Sequence, residues 1–250
     1  MSYWRTYIQL PLFFLLGIGC LSAQQATSTS VVPEPTKYVW QQPVIATATI
    51  ATAFAGVSPF FIPYSQRQNI FIREEIQIFR RSHFDNRRFS FDNCIQYLPL
   101  SSNLVLNLVG VPSNHNFWQQ SRRAATAWLI STVIIYPVKE TLRCLRPDRS
   151  SYNSFPSGHT STAFLGAELL RLEYGNTSSA IPIAGYSLAL FVGTMRLYND
   201  RHWTNDVVAG AVVGIMSANL SYWLNGCVET LYARHCKQRQ DNTITVLEVY

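Results

Sequence analysis

An all-α fold, a bundle of about six helices with its chemistry gathered at one end, is what this 250-residue sequence predicts. Long runs without a charge alternate with short polar, charged stretches, and few segments show the period-two alternation a strand requires. No internal repeat breaks the pattern, which fits one domain. Charged residues make up only 14% of the chain, yet the formal net charge is +6, a balance that agrees with an anionic partner without naming it. No glycine-rich nucleotide loop appears, and no nucleic-acid partner is expected.

Residues 1–23 open with one early cation, Arg5, then an apolar stretch from Ile8 to Ile18 and small residues ending at Ala23. This is the pattern of a secretory signal peptide cut after Ala23. An uncleaved anchor and lipoprotein processing at Cys20 are the competing readings, and each of them exports the chain. Residues 24–43 are polar and hold three prolines, which suits a tether without a core. The helical domain is expected over 44–233. Its first run, uncharged from Tyr38 to Gln66, is long enough to span a bilayer but rich in Thr and Ala.

Between 67 and 92, six arginines alternate with Ile70, Ile72, Ile76, Ile78 and Phe79. Such a basic amphipathic stretch suits an anionic membrane surface or a solvated connecting helix. A second uncharged run covers Asn93 to Ser121, and a third, Ala124 to Val138, ends at Lys139. A helix is then expected to open at Pro156-Ser157-Gly158-His159, with Glu168 and Arg171 inside it. A fifth run covers Ala180 to Val192. The sixth, Val207 to Trp223, holds Gly210 and Gly214 four apart, which permits close helix packing. Residues 234–250 form a polar tail expected to fray.

The uncharged runs favour a membrane-associated bundle, whereas a mean hydropathy of +0.04 and the short third run favour a soluble one. The expected location is the inner membrane with a periplasm-facing site, or the periplasm itself. A cleaved signal followed by three full spans would instead place the site in the cytoplasm. An outward site needs a retained N-terminus with one run not crossing, or a partly embedded bundle. Once Cys20 leaves with the signal, Cys94, Cys144, Cys227 and Cys236 remain, an even number in an oxidising compartment. Cys227 with Cys236 would close a short loop after the last helix, although spacing does not decide the pairing.

The chemistry concentrates in three pieces: Lys139 to Pro147 (KETLRCLRP), Phe155 to Thr160 (FPSGHT) and Arg196 to Asp206 (RLYNDRHWTND). Lys139, Arg146 and Arg196 supply a point charge and two planar donor forks, a set that matches a phosphoryl group. Free N–H groups at the start of a helix hold anions, and Gly158 lets an oxygen approach the backbone there. His202 and Asp206, four apart, share a helical face, so the carboxylate can fix the imidazole tautomer and leave the other nitrogen to attack. His159 is then available as a general acid. Read singly, the His-x-x-x-Asp pair is a helix-start charge pair and Arg-Pro is a turn. A metal is not expected, because only His159, His202 and Asp206 offer ligands and the arginines would repel a divalent cation.

Together and in this order, the pieces resemble the tripartite signature of the phosphatidic acid phosphatase type 2 and vanadium haloperoxidase superfamily: K-x6-RP, PSGH and SR-x5-H-x3-D. Met195 departs from it, standing where the pattern has serine. The resemblance implies a metal-independent phosphohydrolase. In it His202 attacks phosphorus, Asp206 orients His202, and His159 protonates the leaving oxygen and later activates water. Lys139, Arg146, Ser157, Gly158 and Arg196 would bind the phosphate oxygens. The implied substrate is a phosphorylated lipid of the lipid A, undecaprenyl pyrophosphate or phosphatidylglycerophosphate class. A soluble non-specific acid phosphatase, a vanadate-dependent haloperoxidase with vanadate in the same cradle, and a non-catalytic lipid-binding scaffold are the alternatives. Only the haloperoxidase implies a cofactor.

Overall fold

A computed structural model describes residues 78, 79, 82, 83 and 89–247, and every regular element from residue 89 onward is a helix. The signal segment, the tether, the first uncharged run and most of the arginine-rich stretch lie outside the described residues. The helices are α1 (Asp92–Ile95), α2 (Leu98–Leu108), α3 (Phe117–Leu142), α4 (Gly158–Tyr174), α5 (Ala180–Tyr198) and α6 (Thr204–Leu247).

The second uncharged run is not one span. Pro99 sits in the first turn of α2, where a missing N–H costs nothing, and so separates α1 from α2. Gly110, at φ 86°, and Pro112 follow the end of α2. The 11 residues of α2 rise only about 16 Å, roughly half a bilayer core.

The third run, by contrast, is part of a longer helix than its charge-free length indicates. Asn116 and Gln119 form a reciprocal cap at the start of α3, and the helix then runs 26 residues to Arg143, which closes it in a left-handed conformation. The charges that delimit the run do not end the helix, because α6 answers them. Arg123 is buried and donates to Glu229 at 2.8 Å, and Arg122 pairs with the same carboxylate.

α4 is the central helix, packed against α5 on one side, α6 on another and α2 on a third. Leu165 and Leu169 meet Ala124 and Ala127 of α3 and Ala218 of α6, while Ala163 and Ala167 meet Ala189 and Val192 of α5. The charges inside α4 are satisfied rather than solvated. Buried Glu168 accepts from Arg171 at 2.6 and 2.8 Å, from Asn219 at 2.7 Å and from the Tyr186 hydroxyl. The expected glycine seam is present: a Cβ on Gly210 would stand 2.4 Å from the Ser157 carbonyl oxygen, and one on Gly214 would stand 2.3 Å from that of Ser161.

α6 neither stops at Trp223 nor frays at 233; it continues to Leu247. No glycine or proline follows Gly226, so nothing in the backbone ends the helix there. The loop that a pairing of Cys227 with Cys236 would close is therefore helix. Both lie on α6, nine residues apart, so their Cα atoms are about 13 Å distant where a disulfide tolerates about 7 Å.

α3 to α6 are long rods; short connections join α4 to α5 and α5 to α6, and the longer α3–α4 loop, residues 143–157, is hydrogen-bonded to the α5–α6 loop. The ends of α3 and α5 and the starts of α4 and α6 therefore share one end of the bundle, and the α4–α5 connection lies at the other. Ala180–Tyr198 and Thr204–His235 are each long and apolar enough to cross a membrane. Large apolar side chains face outward on three helices, including Val133 (62% exposed), Ile183 (63%) and Val228 (60%).

Candidate active site

Two loops build the floor of the site, and they are zipped together. Asp148 N–H donates to the Asp200 carbonyl at 3.2 Å, the Trp203 indole N–H to the Leu145 carbonyl at 2.8 Å, and Ser157 N–H to the Asp206 carbonyl at 2.9 Å. Cys144, Phe155 and Ala209 pack beneath them with Val138 and Leu142. The three sequence pieces are thus fixed to one another by backbone bonds before any side-chain chemistry is considered.

Lys139 stands in the last turn of α3 and donates to the Asn153 carbonyl at 2.8 Å. Arg146 follows in the loop, where its backbone N–H holds the Ser151 carbonyl at 3.0 Å. Arg196 lies buried in the last turn of α5. His202 is 1% exposed, with Nδ1 3.5 Å from Asp206 Oδ2. Asp206, in the first turn of α6, uses that same oxygen to accept from Trp203 N–H at 2.9 Å and from the Ser154 hydroxyl. The carboxylate is therefore both a brace for the helix start and the nearest anion to the imidazole.

At the start of α4, the Ser157 hydroxyl is the helix cap: it accepts from Thr160 N–H at 3.4 Å, bonds the Thr160 hydroxyl at 2.9 Å, and is fully buried. The expectation that this hydroxyl reaches a phosphate oxygen differs from that placement. Gly158 differs from Ser157. As first residue of the helix its N–H has no intrahelical acceptor, and a Cβ built on it would meet nothing within 4 Å. There is room beside it for an oxyanion.

Burial, reinforced by Lys139, Arg196 and Arg146, holds the His202 imidazole well below its ordinary pKa, partly offset by a hydrogen bond to the Ser154 backbone. Half-buried His159 is lowered for the same reason, first by burial and then by Arg196, His202, Arg146 and Lys139. With no anion bound, both rings are neutral at pH 7. A neutral buried imidazole, a second imidazole, three basic side chains and an open helix start are the chemical means to hold a tetrahedral oxyanion and to attack it.

A sequence model of the PAP2 superfamily matches residues 112–226, a range that contains all three pieces. Over that range the chain is similar to the PAP2 superfamily. Among curated relatives, a lipid A 1-phosphatase from Porphyromonas gingivalis is 36% identical over 157 residues, which is 61% of this chain and 35% of that protein. A probable diacylglycerol pyrophosphate phosphatase from Schizosaccharomyces pombe is 33% identical over 85 residues, 30% of each chain. The match thus spans about a third of the length of these relatives. Among solved structures, a transmembrane PAP2-type phosphatidylglycerolphosphate phosphatase from Bacillus subtilis has a TM-score of 0.52 at 18% identity, covering 73% of this chain and 96% of that one. That likeness is one of fold.

Around the signature, the structure adds three polar side chains that sequence reading did not single out. Asp92 is buried and receives Arg196 Nη1 at 2.7 Å. Asn93 Oδ1 stands 2.8 Å from His159 Nε2. Ser154, fully buried, donates to Asp206. Met195, where the PAP2 pattern has serine, is buried in α5 beside Arg196.

Proposed function

We propose that this chain is a membrane phosphatase that removes the phosphate of a lipid phosphomonoester, or the terminal phosphate of a lipid pyrophosphate, through a phosphohistidine on His202. The observation that carries the reading is a buried, neutral His202 beside Asp206, surrounded by Lys139, Arg146, Arg196 and the open start of α4. The relatives' names supply the lipid class, and the outward apolar side chains of α3, α5 and α6 supply the membrane setting. The site is proposed to face the outer side of an inner membrane.

In this reading the equatorial oxygens of the phosphate meet the three cations and the Gly158 N–H, where negative charge grows in the transition state. The imidazole nitrogen of His202 that faces the phosphate attacks phosphorus, and the bond to the leaving oxygen breaks with its electrons going to that oxygen. His159, protonated once the phosphate's charge arrives, passes its proton to it. The phosphoryl group is then on His202, whose positive charge Asp206 balances. A water attacks from the side the alcohol left, gives its proton to His159, and the phosphorus–nitrogen bond breaks to restore His202 and release inorganic phosphate. Arg146 and Arg196, with Lys139, whose pKa burial lowers to about 7 until an anion arrives, do the work a divalent ion would otherwise do, so no metal is required.

The test is inorganic phosphate release in EDTA from lipid A, undecaprenyl pyrophosphate and phosphatidylglycerophosphate in detergent, beside a water-soluble aryl phosphate. Release from a lipid that falls about a thousandfold or more in His202→Ala is expected. Undiminished release in that variant removes His202 as nucleophile. Release from the soluble ester alone favours an acid phosphatase. Halide oxidation with vanadate and no phosphate release would replace the phosphatase reading with the haloperoxidase one, and lipid binding without either reaction would leave a scaffold.

A further inference from the structure

Asn93 lies on α1, far in sequence from every signature residue, yet its side chain reaches a histidine of the site. We propose that Asn93 is a positioning residue for the general acid: its side-chain carbonyl fixes the His159 ring so that Nδ1 faces the leaving oxygen. The inference rests on the phosphatase reading above.

The contact is specific about atoms. Asn93 Oδ1 stands 2.8 Å from His159 Nε2. A carbonyl oxygen only accepts, so Nε2 carries the hydrogen and donates it, which leaves Nδ1 as the nitrogen free to exchange a proton with substrate. The same bond survives when the ring is protonated, since an imidazolium donates from both nitrogens. A carbonyl therefore suits both halves of the reaction, in which His159 must first hold a proton and later take one up.

The electrostatics give this bond something to oppose. Burial and the cations of three elements, Arg196 on α5, Arg146 in the α3–α4 loop and Lys139 on α3, together with His202, all disfavour a proton on His159. Two groups favour one: the phosphate when it binds, and the Asn93 carbonyl, which is present throughout.

The mounting of α1 shows how an exposed asparagine is held in place. Asp92 next to it is locked on buried Arg196 at 2.7 Å. Before it, Phe89 exchanges two hydrogen bonds with the Asn199 side chain, at 3.0 and 2.8 Å, and Phe91 stacks on Phe191 of α5 with ring centroids 6.1 Å apart. Asn93 is thus anchored through the residues before it while remaining exposed itself. Its replacement empties no core position, and the fold should survive it.

Leaving groups separate this role from a structural one. An alkyl phosphate needs a proton on its departing oxygen, whereas a dinitrophenyl phosphate leaves as a stable anion. For Asn93→Leu, kcat/KM on the alkyl or lipid phosphate is expected to fall about 10- to 100-fold, and on the dinitrophenyl ester less than about threefold. His159→Ala should show the same split. Asn93→Asp keeps the acceptor and adds a negative charge, so it should retain alkyl activity and move the alkaline limb of kcat/KM to higher pH. Equal losses on both esters, or no loss on the alkyl ester, overturn the proposal. If the wild-type chain releases phosphate from neither ester, the phosphatase reading fails first; if it cleaves both and Asn93→Leu shows no split, only the role of Asn93 fails.

Discussion

At the scale of single residues, Asp206 carries two duties on one oxygen. It closes the first turn of α6 through Trp203 N–H, and it is the anion 3.5 Å from His202. Ser154 ties that oxygen down from the neighbouring loop. Hydrogen bonds to a charged group contribute about 1.5–3 kcal/mol. Ser154→Ala should therefore lower kcat/KM about tenfold or more while leaving KM for a lipid phosphate nearly unchanged, and steady-state kinetics of the two proteins would check it. The three pieces that hold Lys139, Arg146, His159, Arg196, His202 and Asp206 were legible as motifs, but the shared helix face expected for His202 and Asp206 was not met: α6 begins at Thr204, and His202 stands in the loop before it, 3.5 Å from the Asp206 carboxylate. Ser154, Asp92 and Asn93 were not legible. Asp92 lies 104 residues from Arg196 and Asn93 lies 66 from His159, and no periodicity encodes such pairs.

Among elements, the sequence was read best where backbone chemistry decides and worst where charge was taken for a boundary. Capped starts and glycine seams follow from local sterics, so the start of α4 and the α4–α6 contact stand where expected. The ends of α3 and α6 do not, because an arginine that meets Glu229 continues a helix that a solvated one would border. The seam also separates stability from activity. Gly210→Ala would press on the Ser157 carbonyl at the mouth of the site, and Gly214→Ala on the Ser161 carbonyl one turn deeper. Each should cost about 1–3 kcal/mol of stability. Only Gly210→Ala should also lower kcat/KM by about tenfold, since about an ångström of misplacement at the helix start is felt in the reaction. Melting temperatures and initial rates measured together would show whether the two effects part.

For the whole molecule, the neutral state of His159 and His202 links folding to pH. Both are held below their unfolded value of about 6.5, so below that pH the unfolded chain binds more protons than the folded one. The contribution of these two imidazoles should be full above about pH 6.5 and decline as the pH falls toward the depressed folded values, while buried Lys139, lowered to about 7, adds a separate decline between about pH 10.5 and 7. Denaturation in detergent between pH 7.5 and about 5 would reveal it. His202→Gln, which removes one of the two groups, should flatten the decline. A curve of unchanged steepness in that variant would show that His202 is not the group responsible.

The alternation of the four long helices has one more consequence, in the field of the backbone itself. Two helix starts, with partial positive charge, and two helix ends, with partial negative charge, meet at the same end of the bundle. Left alone they would nearly cancel. Lys139 and Arg196 occupy the last turns of α3 and α5, where they mask the two negative ends; Asp206 already answers the start of α6, and the positive start of α4 remains for an anion. Each of these cations therefore acts twice, once by its own charge and once by silencing a helix dipole that would repel the substrate.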